Sequence, residues 1–168
     1  MTELLHVVNE QDEVIGSDTK SNKLSKRFIS RNVAIYVKDN EGKFIVCQRA
    51  DNKITYPGCL DVSAVGHVKF GETYEQAAAR ELKEELGIDC ELKFCVKKFT
   101  SMPHEGKPIE FFTSIFWGRH DGEVKLNEEL VNHKKFTREE LLKLMDESPE
   151  KFVPTFREDF KRYNYLFK

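Results

Sequence analysis

Long apolar runs are absent from this sequence. Its 168 residues include no unbroken apolar stretch of about 18 residues, the length that predicts a transmembrane helix. The start of the chain, Met1 to His6, lacks the basic and apolar segments of a secretory signal. We therefore expect neither a membrane partner nor export.

An excess of one charge is also absent. Lys and Arg number 27 and Asp and Glu number 29, which gives a formal net charge of −2. Proteins that bind nucleic acid non-specifically, or that coat membrane surfaces, generally carry a basic excess. The balance therefore argues against general nucleic-acid binding, and it leaves local charged sites open.

Paired cysteine motifs are the third absence. Cys47, Cys59, Cys90 and Cys95 are scattered and form no CxxC pair. Without a signal sequence, such cysteines are typical of reduced thiols. The sequence therefore predicts a cytoplasmic protein, and its cysteine spacing gives no support for a zinc site.

What the chain does have is the composition of a globular protein, with 39% hydrophobic and 33% charged residues. No repeat or linker divides it, so we expect one domain over residues 1–168. An N-terminal hairpin over residues 3–16 is predicted to lead into an exposed polar loop at 17–27. Strands follow at 33–37 and 44–47, on either side of a turn.

The middle of the chain predicts one long helix. Thr73 and Gln76 have the spacing of a capping box, and the helix is predicted to run over residues 74–86. Gly87 stands where a C′ glycine belongs.

Strands and helices follow this central helix. We expect strands at 91–101 and 109–118, with a loop at 102–107 between them in which His104 is an exposed residue. C-terminal helices within 137–168 are predicted to pack on the rest of the domain. Strands on both sides of a central helix, followed by terminal helices, indicate an α/β fold with a mixed sheet between helices.

Three glutamates of the central helix share one face. Glu81, Glu84 and Glu85 are spaced i, i+3 and i+4. The apolar ridge lies on a different face and consists of Ala78, Leu82 and Leu86. Like-charged pairs on a helix cost about 0.2–0.5 kcal/mol each, which a hard divalent cation such as magnesium would offset. By themselves, the three glutamates fit a solvated acidic face equally well.

Further fixed positions separate these two interpretations. A solvated face has no reason to specify an upstream glycine and glutamate, an arginine, and a closing glycine at set offsets. The segment reads Gly66-x5-Glu72-x7-Arg80-Glu81-Leu82-x-Glu84-Glu85-x-Gly87-Ile88. This pattern resembles a complete Nudix box, and the order of strands and helices around it agrees over most of the chain.

The resemblance implies an α/β/α sandwich with a mixed sheet. It also implies an enzyme that hydrolyses the phosphoanhydride bond of a nucleoside diphosphate linked to another moiety. Glu81, Glu84 and Glu85 would hold Mg²⁺ or Mn²⁺, with the Gly66 carbonyl as a further ligand.

Catalytic and structural roles follow from the same resemblance. Glu81 and Glu84 would be catalytic together with Arg80, which would orient them, while Glu72 would brace the loop and Gly87 would close the box. The general base differs among Nudix enzymes. Glu81 is the candidate within the box, and more distant candidates are Glu110, Glu128 and Glu129.

Residues 49–58 resemble the branch of the family that includes isopentenyl diphosphate isomerase. This resemblance implies that Arg49 and Lys53 face the diphosphate of a small-molecule substrate, to which an arginine offers two parallel donors. The alternative is that both are ordinary surface charges.

Two rival functions remain. The isomerase requires a cysteine immediately before the Gly-His of the loop, where this chain has Val65. Of its metal-binding histidines only His67 matches, while Ser30 takes the place of another. The second rival is a nucleotide sensor without turnover, but such a domain would be expected to lose box glutamates.

The sequence leaves the substrate's leaving group and the number of metal ions open. The Phe-rich C-terminal helix at 152–167 would either dock on a second subunit, giving a homodimer, or cap its own sheet.

Overall fold

The computed structural model describes residues 2–168, which form nine strands and four α-helices. The strands are β1 (Leu4–Val8), β2 (Val14–Thr19), β3 (Ser30–Lys38), β4 (Phe44–Arg49), β5 (Leu60–Asp61), β6 (Ala64–His67), β7 (Leu92–His104), β8 (Lys107–Arg119) and β9 (Leu130–Phe136). The helices are α1 (Lys23–Lys26), α2 (Tyr74–Leu86), α3 (Arg138–Glu147) and α4 (Pro154–Tyr163). Short 3₁₀ turns cover Lys20–Asn22, Pro149–Lys151 and Asn164–Leu166.

A mixed sheet of seven strands forms the centre of the fold. Its spatial order is β5-β4-β3-β8-β7, with β6 also paired to β3 and β9 also paired to β4. The β3–β8 pair is parallel, and the other pairs are antiparallel. Helix α2 packs on one face and helices α3 and α4 pack on the other. The predicted α/β/α sandwich with a mixed sheet is therefore confirmed.

Alternating side chains of β3 build two separate cores. Val33 and Ile35 point to the α2 side, where they belong to one cluster with the predicted apolar ridge of that helix, including Leu82. Ala34 and Tyr36 point to the other side, toward α3 and α4. Because successive residues of a strand face opposite sides, this single strand anchors both helical layers.

Aromatic residues of the C-terminal segment pack on this chain's own sheet. Phe160 and Phe167 are fully buried. The Tyr36 ring stacks on Phe167 with centroids 4.4 Å apart, and Phe44 meets Phe160 edge to face at 5.0 Å. Burying one such side chain stabilises a fold by about 1.5–3 kcal/mol. Of the two arrangements that the sequence left open, the segment caps its own sheet.

The N-terminal hairpin forms a separate two-stranded sheet and extends past residue 16 to Thr19. Asp12 lies in the turn of this hairpin. It accepts hydrogen bonds from Arg31 and Lys97, both at 2.6 Å, and from the Tyr74 hydroxyl at 3.0 Å. Burial alone would raise the pKa of Asp12, but these hydrogen bonds hold it below its usual value. The contacts attach the hairpin to β3, β7 and α2.

Two segments predicted as loops are regular structure. Residues 17–27 complete β2 and then form a 3₁₀ turn and α1, in which Lys23 turns inward and is only 8% exposed. Residues 102–107 belong mostly to β7 and β8, which join through Glu105 and Gly106 at φ values of 46° and 80°. Positive φ at both positions suits a two-residue hairpin turn. His104 therefore ends a strand and pairs with Lys107.

Among residues 2–168, every helix is too short or too polar to pass through a bilayer.

Candidate active site

A cleft of about 580 Å³ lies beside the glutamate face of α2. Two groups of residues line it. The box wall consists of Gly66, His67, Arg80, Glu81, Glu84 and Glu85. The loop wall consists of Arg49, Asn52, Lys53, Ile54, Thr55, Glu128 and Glu129. The fold thus brings the predicted metal ligands and the predicted diphosphate-binding residues into one space, although they lie far apart in sequence.

Local sequence determines where α2 begins and ends. The Thr73 hydroxyl accepts from the Gln76 backbone N–H at 3.2 Å, and the side-chain oxygen Oε1 of Gln76 accepts from the Thr73 backbone N–H at 2.9 Å. This is the predicted capping box. Gly87, at φ 66°, ends the helix with its N–H bonded to the Lys83 carbonyl. The three box glutamates therefore project from one rigid element.

Arg80 ties the loop to the helix carboxylates. Its guanidinium donates to both carboxylate oxygens of Glu72, at 2.6 and 2.9 Å, and to the His67 carbonyl at 2.9 Å. It also donates to Glu81 at 2.7 Å and to Glu84 at 3.2 Å. Burial lowers the pKa of Arg80, but the hydrogen bonds with Glu72 and Glu81 outweigh it and raise the pKa overall. The guanidinium stays charged and offsets the repulsion between the glutamates.

Glu72 bonds to the loop before α2 in addition to bonding to Arg80. It accepts a hydrogen bond from the Lys69 N–H at 2.9 Å. Burial opposes ionisation of Glu72, yet the bond from Arg80 lowers its pKa below the usual value. This geometry agrees with the roles predicted for Arg80 and Glu72, which stay predictions until activity is measured.

Gly66 lies directly under the Glu81 carboxylate. A Cβ atom at this position would be 2.1 Å from Glu81 Cδ, which is far inside van der Waals contact. Only glycine therefore leaves room for Glu81 in its observed position. The close approach also puts the Gly66 backbone beside the carboxylates, where a carbonyl could serve as a metal ligand.

Glu85 is a buried carboxylate without a cationic partner among residues 2–168. The residue is 5% exposed, and within residues 2–168 its carboxylate accepts one hydrogen bond, a long one of 3.4 Å from the Val65 N–H. Burial raises the pKa of Glu85 well above its usual value, and the charges of Glu81 and Glu129 add to this effect. Burial likewise raises the pKa of Glu81, although Arg80 opposes the rise. Buried charges are normally paired or bound to a metal.

The donor set fits a hard divalent cation. Three carboxylates and the Gly66 carbonyl are oxygen ligands of the kind that Mg²⁺ and Mn²⁺ prefer. Over residues 2–168, no three His, Cys, Asp or Glu side chains are arranged closely enough to hold a metal ion by themselves. Arg80 accounts for part of this, because it draws Glu81 and Glu84 toward itself. Mg²⁺ usually keeps several waters and takes one or two carboxylates plus substrate phosphates, so a complete protein cage is unnecessary.

On the loop wall, both predicted diphosphate-binding residues already have carboxylate partners. Arg49 donates to Asp61 at 3.2 Å and to the Thr55 carbonyl at 3.0 and 3.2 Å. Lys53 forms an ion pair with Glu129. Burial raises the pKa of Asp61 despite the opposing charge of Arg49. These partners hold the two cations in fixed positions at the cleft, and their role in binding a diphosphate stays a prediction.

The four candidates for the general base differ in whether they line the cleft. Glu81, Glu128 and Glu129 line the cleft. The hydrogen bond from Lys53 lowers the pKa of Glu129 and commits it to that ion pair. Glu110 is absent from the lining and accepts instead from the Ser101 hydroxyl across the β7–β8 hairpin, at 3.3 Å. The pairing of β8 with β7 keeps Glu110 outside the lining of the cleft in this structure, and its role as a general base stays a prediction.

His67 has a neighbour that the sequence did not suggest. The Lys23 ammonium lies 3.3 Å from His67 Nε2. Because lysine can only donate, His67 must accept, which requires its neutral form with the proton on Nδ1. Burial lowers the pKa of His67 well below its usual value, and Lys23 adds to that effect. A basic, polar composition predicted an exposed loop at Lys23, so no sequence signal identified this contact.

His6 is a second residue that sequence reasoning missed. Its Nε2 accepts a hydrogen bond from the Gly71 N–H at 3.1 Å, and the Leu4 carbonyl accepts one from the Phe70 N–H at 2.8 Å. The N-terminal hairpin thus supports the loop that precedes α2. The predicted hairpin gave no sign of which element it would contact.

None of the four cysteines lines the cleft. Cys47 is buried in the sheet, and Cys59 points toward the Glu150 carbonyl. The position before Gly66 is Val65, which does line the cleft. The thiol that the isomerase requires is therefore missing from the space where the substrate would bind.

Comparisons with known proteins identify the family. A family model described as the NUDIX domain matches residues 29–156. An isopentenyl-diphosphate Delta-isomerase 2 of Photorhabdus laumondii is 32% identical over 170 residues, covering 98% of this chain and 94% of that protein. An uncharacterized Nudix hydrolase of Pseudomonas aeruginosa is 34% identical over 140 residues, covering 83% and 80%.

A solved structure agrees over nearly the whole length. The DR0079 protein of Deinococcus radiodurans superposes with a TM-score of 0.79 at 27% identity, covering 96% of this chain and 99% of that one. Nudix hydrolases generally use divalent metal ions and act on small-molecule diphosphates. The sandwich, the matched family model and these relatives agree that the chain belongs to the Nudix family of pyrophosphohydrolases.

Proposed function

We propose that this protein is a Mg²⁺-dependent hydrolase that cleaves the phosphoanhydride bond of a nucleoside diphosphate linked to another moiety. The observation that carries the proposal is Glu85, a buried carboxylate beside Glu81 with no cationic partner in residues 2–168. A divalent cation would supply the missing positive charge. Arg49 and Lys53, in the same cleft, suit the diphosphate that such a cation would accompany.

Most residues of the box wall then have a role. Glu81, Glu84, Glu85 and the Gly66 carbonyl would hold Mg²⁺ or Mn²⁺, which when bound neutralises a diphosphate and lowers the pKa of a bound water. Arg80 keeps Glu81 and Glu84 in position.

The proton of the attacking water passes to a cleft carboxylate, for which Glu81 and Glu128 are the candidates without a lysine partner. Arg49 and Lys53 donate hydrogen bonds to phosphate oxygens as charge develops there. Electrostatic stabilisation of this kind requires no covalent nucleophile.

The isomerase is the second candidate because a relative named as an isomerase is 32% identical over nearly the whole chain. The cleft argues against it. Isomerisation moves a proton on carbon and needs an acid or base beside the double bond. The position of the isomerase cysteine holds Val65, and the four cysteines lie outside the cleft.

A substrate panel with Mg²⁺ tests these functions side by side. It contains ADP-ribose, UDP-glucose, a dinucleoside polyphosphate and isopentenyl diphosphate. We expect cleavage of at least one nucleoside diphosphate derivative, loss of that cleavage in EDTA, and its return with Mg²⁺ or Mn²⁺. Conversion of isopentenyl diphosphate without release of phosphate would identify an isomerase. Tight binding of a nucleotide with no product at all would identify a sensor.

We also propose a cytoplasmic location, supported by four cysteines that are all free. A homodimer stays a prediction.

A further inference from the structure

His67 lines the cleft, but the proposed function gives it no role. Val65, two residues earlier on β6, also lines the cleft, and so does Asn32, which pairs with His67 from β3. Successive residues of a strand face opposite sides, so these three side chains project on one face of the sheet. Gly66, between Val65 and His67, lies under Glu81. The His67 imidazole therefore projects from the face of β6 opposite to the one that Glu81 approaches.

One ring nitrogen of His67 already has a partner. The Lys23 ammonium lies 3.3 Å from Nε2, and an ammonium has hydrogens to donate but no lone pair with which to accept. Nε2 therefore accepts, and the ring proton is left on Nδ1. Within residues 2–168, this is the only hydrogen bond that the ammonium or the ring makes.

The other ring nitrogen, Nδ1, is open to solvent. The Nδ1 atoms of His6 and His133 are buried without a partner, and that of His67 is not among such atoms in the described chain. Because it also makes no hydrogen bond with the protein, it must reach solvent, and the space beside His67 is the cleft. The Nδ1–H group is thus a free hydrogen-bond donor at the cleft.

Lys23 is buried beside His67 and does not line the cleft itself. The residue is 8% exposed, and its ammonium lies 5.1 Å from the centroid of the Phe111 ring. Among residues 2–168, no carboxylate forms a salt bridge with it, whereas Lys26 of the same helix pairs with Asp18 at 2.7 Å. No competing acceptor therefore draws the ammonium away from Nε2.

The state of the ring limits what His67 can do. A metal ligand and a general base both need a free lone pair on nitrogen. The lone pair of Nε2 is directed at an ammonium, and Nδ1 carries the proton. A donor role remains, and it suits a ligand group that only accepts hydrogen bonds, such as a phosphate oxygen.

We propose that the Nδ1–H group of His67 donates a hydrogen bond to a phosphate oxygen of the bound diphosphate, and that Lys23 is a positioning residue that fixes this tautomer. The inference rests on the proposed function, because it takes the diphosphate to occupy the cleft. The ammonium donates to the ring and the ring donates to the phosphate, so each hydrogen bond polarises and strengthens the other. Lys23 thereby acts on a ligand that it does not touch.

Nitrogen-15 NMR of the imidazole rings at pH 7 tests the tautomer. His67→Phe identifies the His67 signals among those of the five histidines. We expect a protonated Nδ1 and an unprotonated Nε2 in the wild type. In Lys23→Met the Nε2–H form should appear, because nothing then donates to Nε2. Lys26→Met removes an equal charge from the exposed side of the same helix and should keep the wild-type spectrum.

Binding of methylenediphosphonate with Mg²⁺, measured by calorimetry, tests the donor. This probe is a diphosphate with a CH₂ group in place of the bridging oxygen, so it cannot be hydrolysed. His67→Phe should raise its Kd at least about tenfold, the size of a hydrogen bond to a charged group. His67→Asn should stay within about threefold of the wild type, because its amide nitrogen takes the place of Nδ1 and can donate.

A double-mutant cycle separates action through His67 from the long-range effect of a charge. Lys23→Met alone should raise the Kd of the probe about threefold or more, and Lys26→Met should leave it unchanged. In the His67→Phe background, Lys23→Met should have no further effect. Thermal unfolding of each variant confirms that it is folded, and His67→Ala takes the place of His67→Phe if the latter is not.

A wild-type ring protonated on Nε2 would overturn the inference. An unchanged Kd in His67→Phe, or no binding of the probe by the wild type, would overturn the donor role. An equal effect of Lys23→Met with and without the His67 ring would overturn the positioning role, since Lys23 would then act by its charge alone. Failure of the proposed function is a separate result, seen as absence of hydrolysis in the substrate panel, and the ring spectrum and the Kd values would still decide the roles of His67 and Lys23.

Discussion

The box wall and the loop wall of the cleft differ in how their charges are balanced. On the box wall, Glu85 is buried without a cationic partner in the described chain, residues 2–168. On the loop wall, Arg49 is paired with Asp61 and Lys53 with Glu129. The box wall therefore needs an added positive charge. On the loop wall, the two cations are already paired with carboxylates, which hold them in position. This difference supports the proposed roles of the two walls, which are cation binding for the box wall and anion positioning for the loop wall.

The two walls also differ in where their residues come from. Gly66 to Glu85 is one continuous segment, and a capped helix sets the spacing of its carboxylates. The loop wall combines residues 49–55 with Glu128 and Glu129, and the Lys53–Glu129 pair joins positions 76 residues apart. The function of the box wall can be inferred from spacing, whereas that of the loop wall depends on tertiary contacts.

The largest effect is expected from neutralising the box wall. Glu84→Gln and Glu85→Gln should each fold and lose at least about a hundredfold in kcat, the scale of a removed electrostatic contributor. Glu85→Gln should be as stable as the wild type or more so, because it removes a buried, unpaired charge. Steady-state kinetics and denaturant unfolding provide the two measurements. Glu75→Gln, an exposed residue of the same helix, is the control, and unchanged turnover in both variants would refute the site assignment.

A smaller but still large effect is expected from Gly66→Ala. The added Cβ would be 2.1 Å from Glu81 Cδ, so the carboxylate must move. We expect kcat to fall roughly thirtyfold, because small misplacements of catalytic groups cost one to two orders of magnitude. Gly16→Ala, where a Cβ would contact nothing within 4 Å, is the control. Wild-type kcat in Gly66→Ala would show that the position of Glu81 is unimportant.

Changes on the loop wall should act mainly on substrate binding. Arg49→Lys loses the planar fork that grips a phosphate, and Lys53→Met leaves Glu129 as an unpaired negative charge at the cleft. We expect each to raise KM about tenfold with a smaller change in kcat, which is the cost of one charged hydrogen bond. Lys43→Met, in the turn before β4, controls for a general loss of positive charge. An unchanged KM in both variants would show that the two residues form structural ion pairs and do not bind the substrate.

The smallest effect on activity is expected away from both walls, at His6. Its Nε2 accepts the Gly71 N–H, and His6→Leu should cost about 0.5–1.5 kcal/mol of unfolding free energy by removing that hydrogen bond. Burial lowers the pKa of His6, helped by Arg31 and opposed by Asp12 and Glu72. The stability it contributes is therefore present above its unfolded pKa of about 6.5 and falls as the pH drops below it.

Denaturant unfolding at pH 7.5 and pH 5.5 checks this sign. The difference between the wild type and His6→Leu should be larger at pH 7.5. A difference that grew on acidification would mean that His6 is charged in the folded protein.

The sequence predicted the box wall because its information is local. Helical periodicity places Glu81, Glu84 and Glu85 on one face, and Thr73, Gln76 and Gly87 determine the helix ends. Alternating apolar residues likewise predicted most strands of the sheet. These features depend on contacts between residues that are close together in the sequence, so residue types and their spacing are enough to predict them.

The parts that the sequence did not predict depend on which elements meet. Lys23 lies in a polar, basic segment and is buried only because His67 and Phe111 are brought to it from β6 and β8. The register of β8 against β7, which places Glu110 opposite Ser101, likewise had no signal in the sequence. A cavity of about 80 Å³ that shares Asn32 and Val65 with the cleft also has no sequence signature, because its lining comes from several elements that meet only in the folded chain.

Arg80 has a consequence for how the enzyme responds to loss of its metal. Its guanidinium already bonds the loop, Glu81 and Glu84, so the carboxylates have a resident counter-charge before any cation arrives. When a protein needs a bound metal ion in order to fold, a chelator that removes the ion unfolds the protein. We expect this protein instead to stay folded when divalent ions are scarce in the cell, and to regain activity as soon as those ions return.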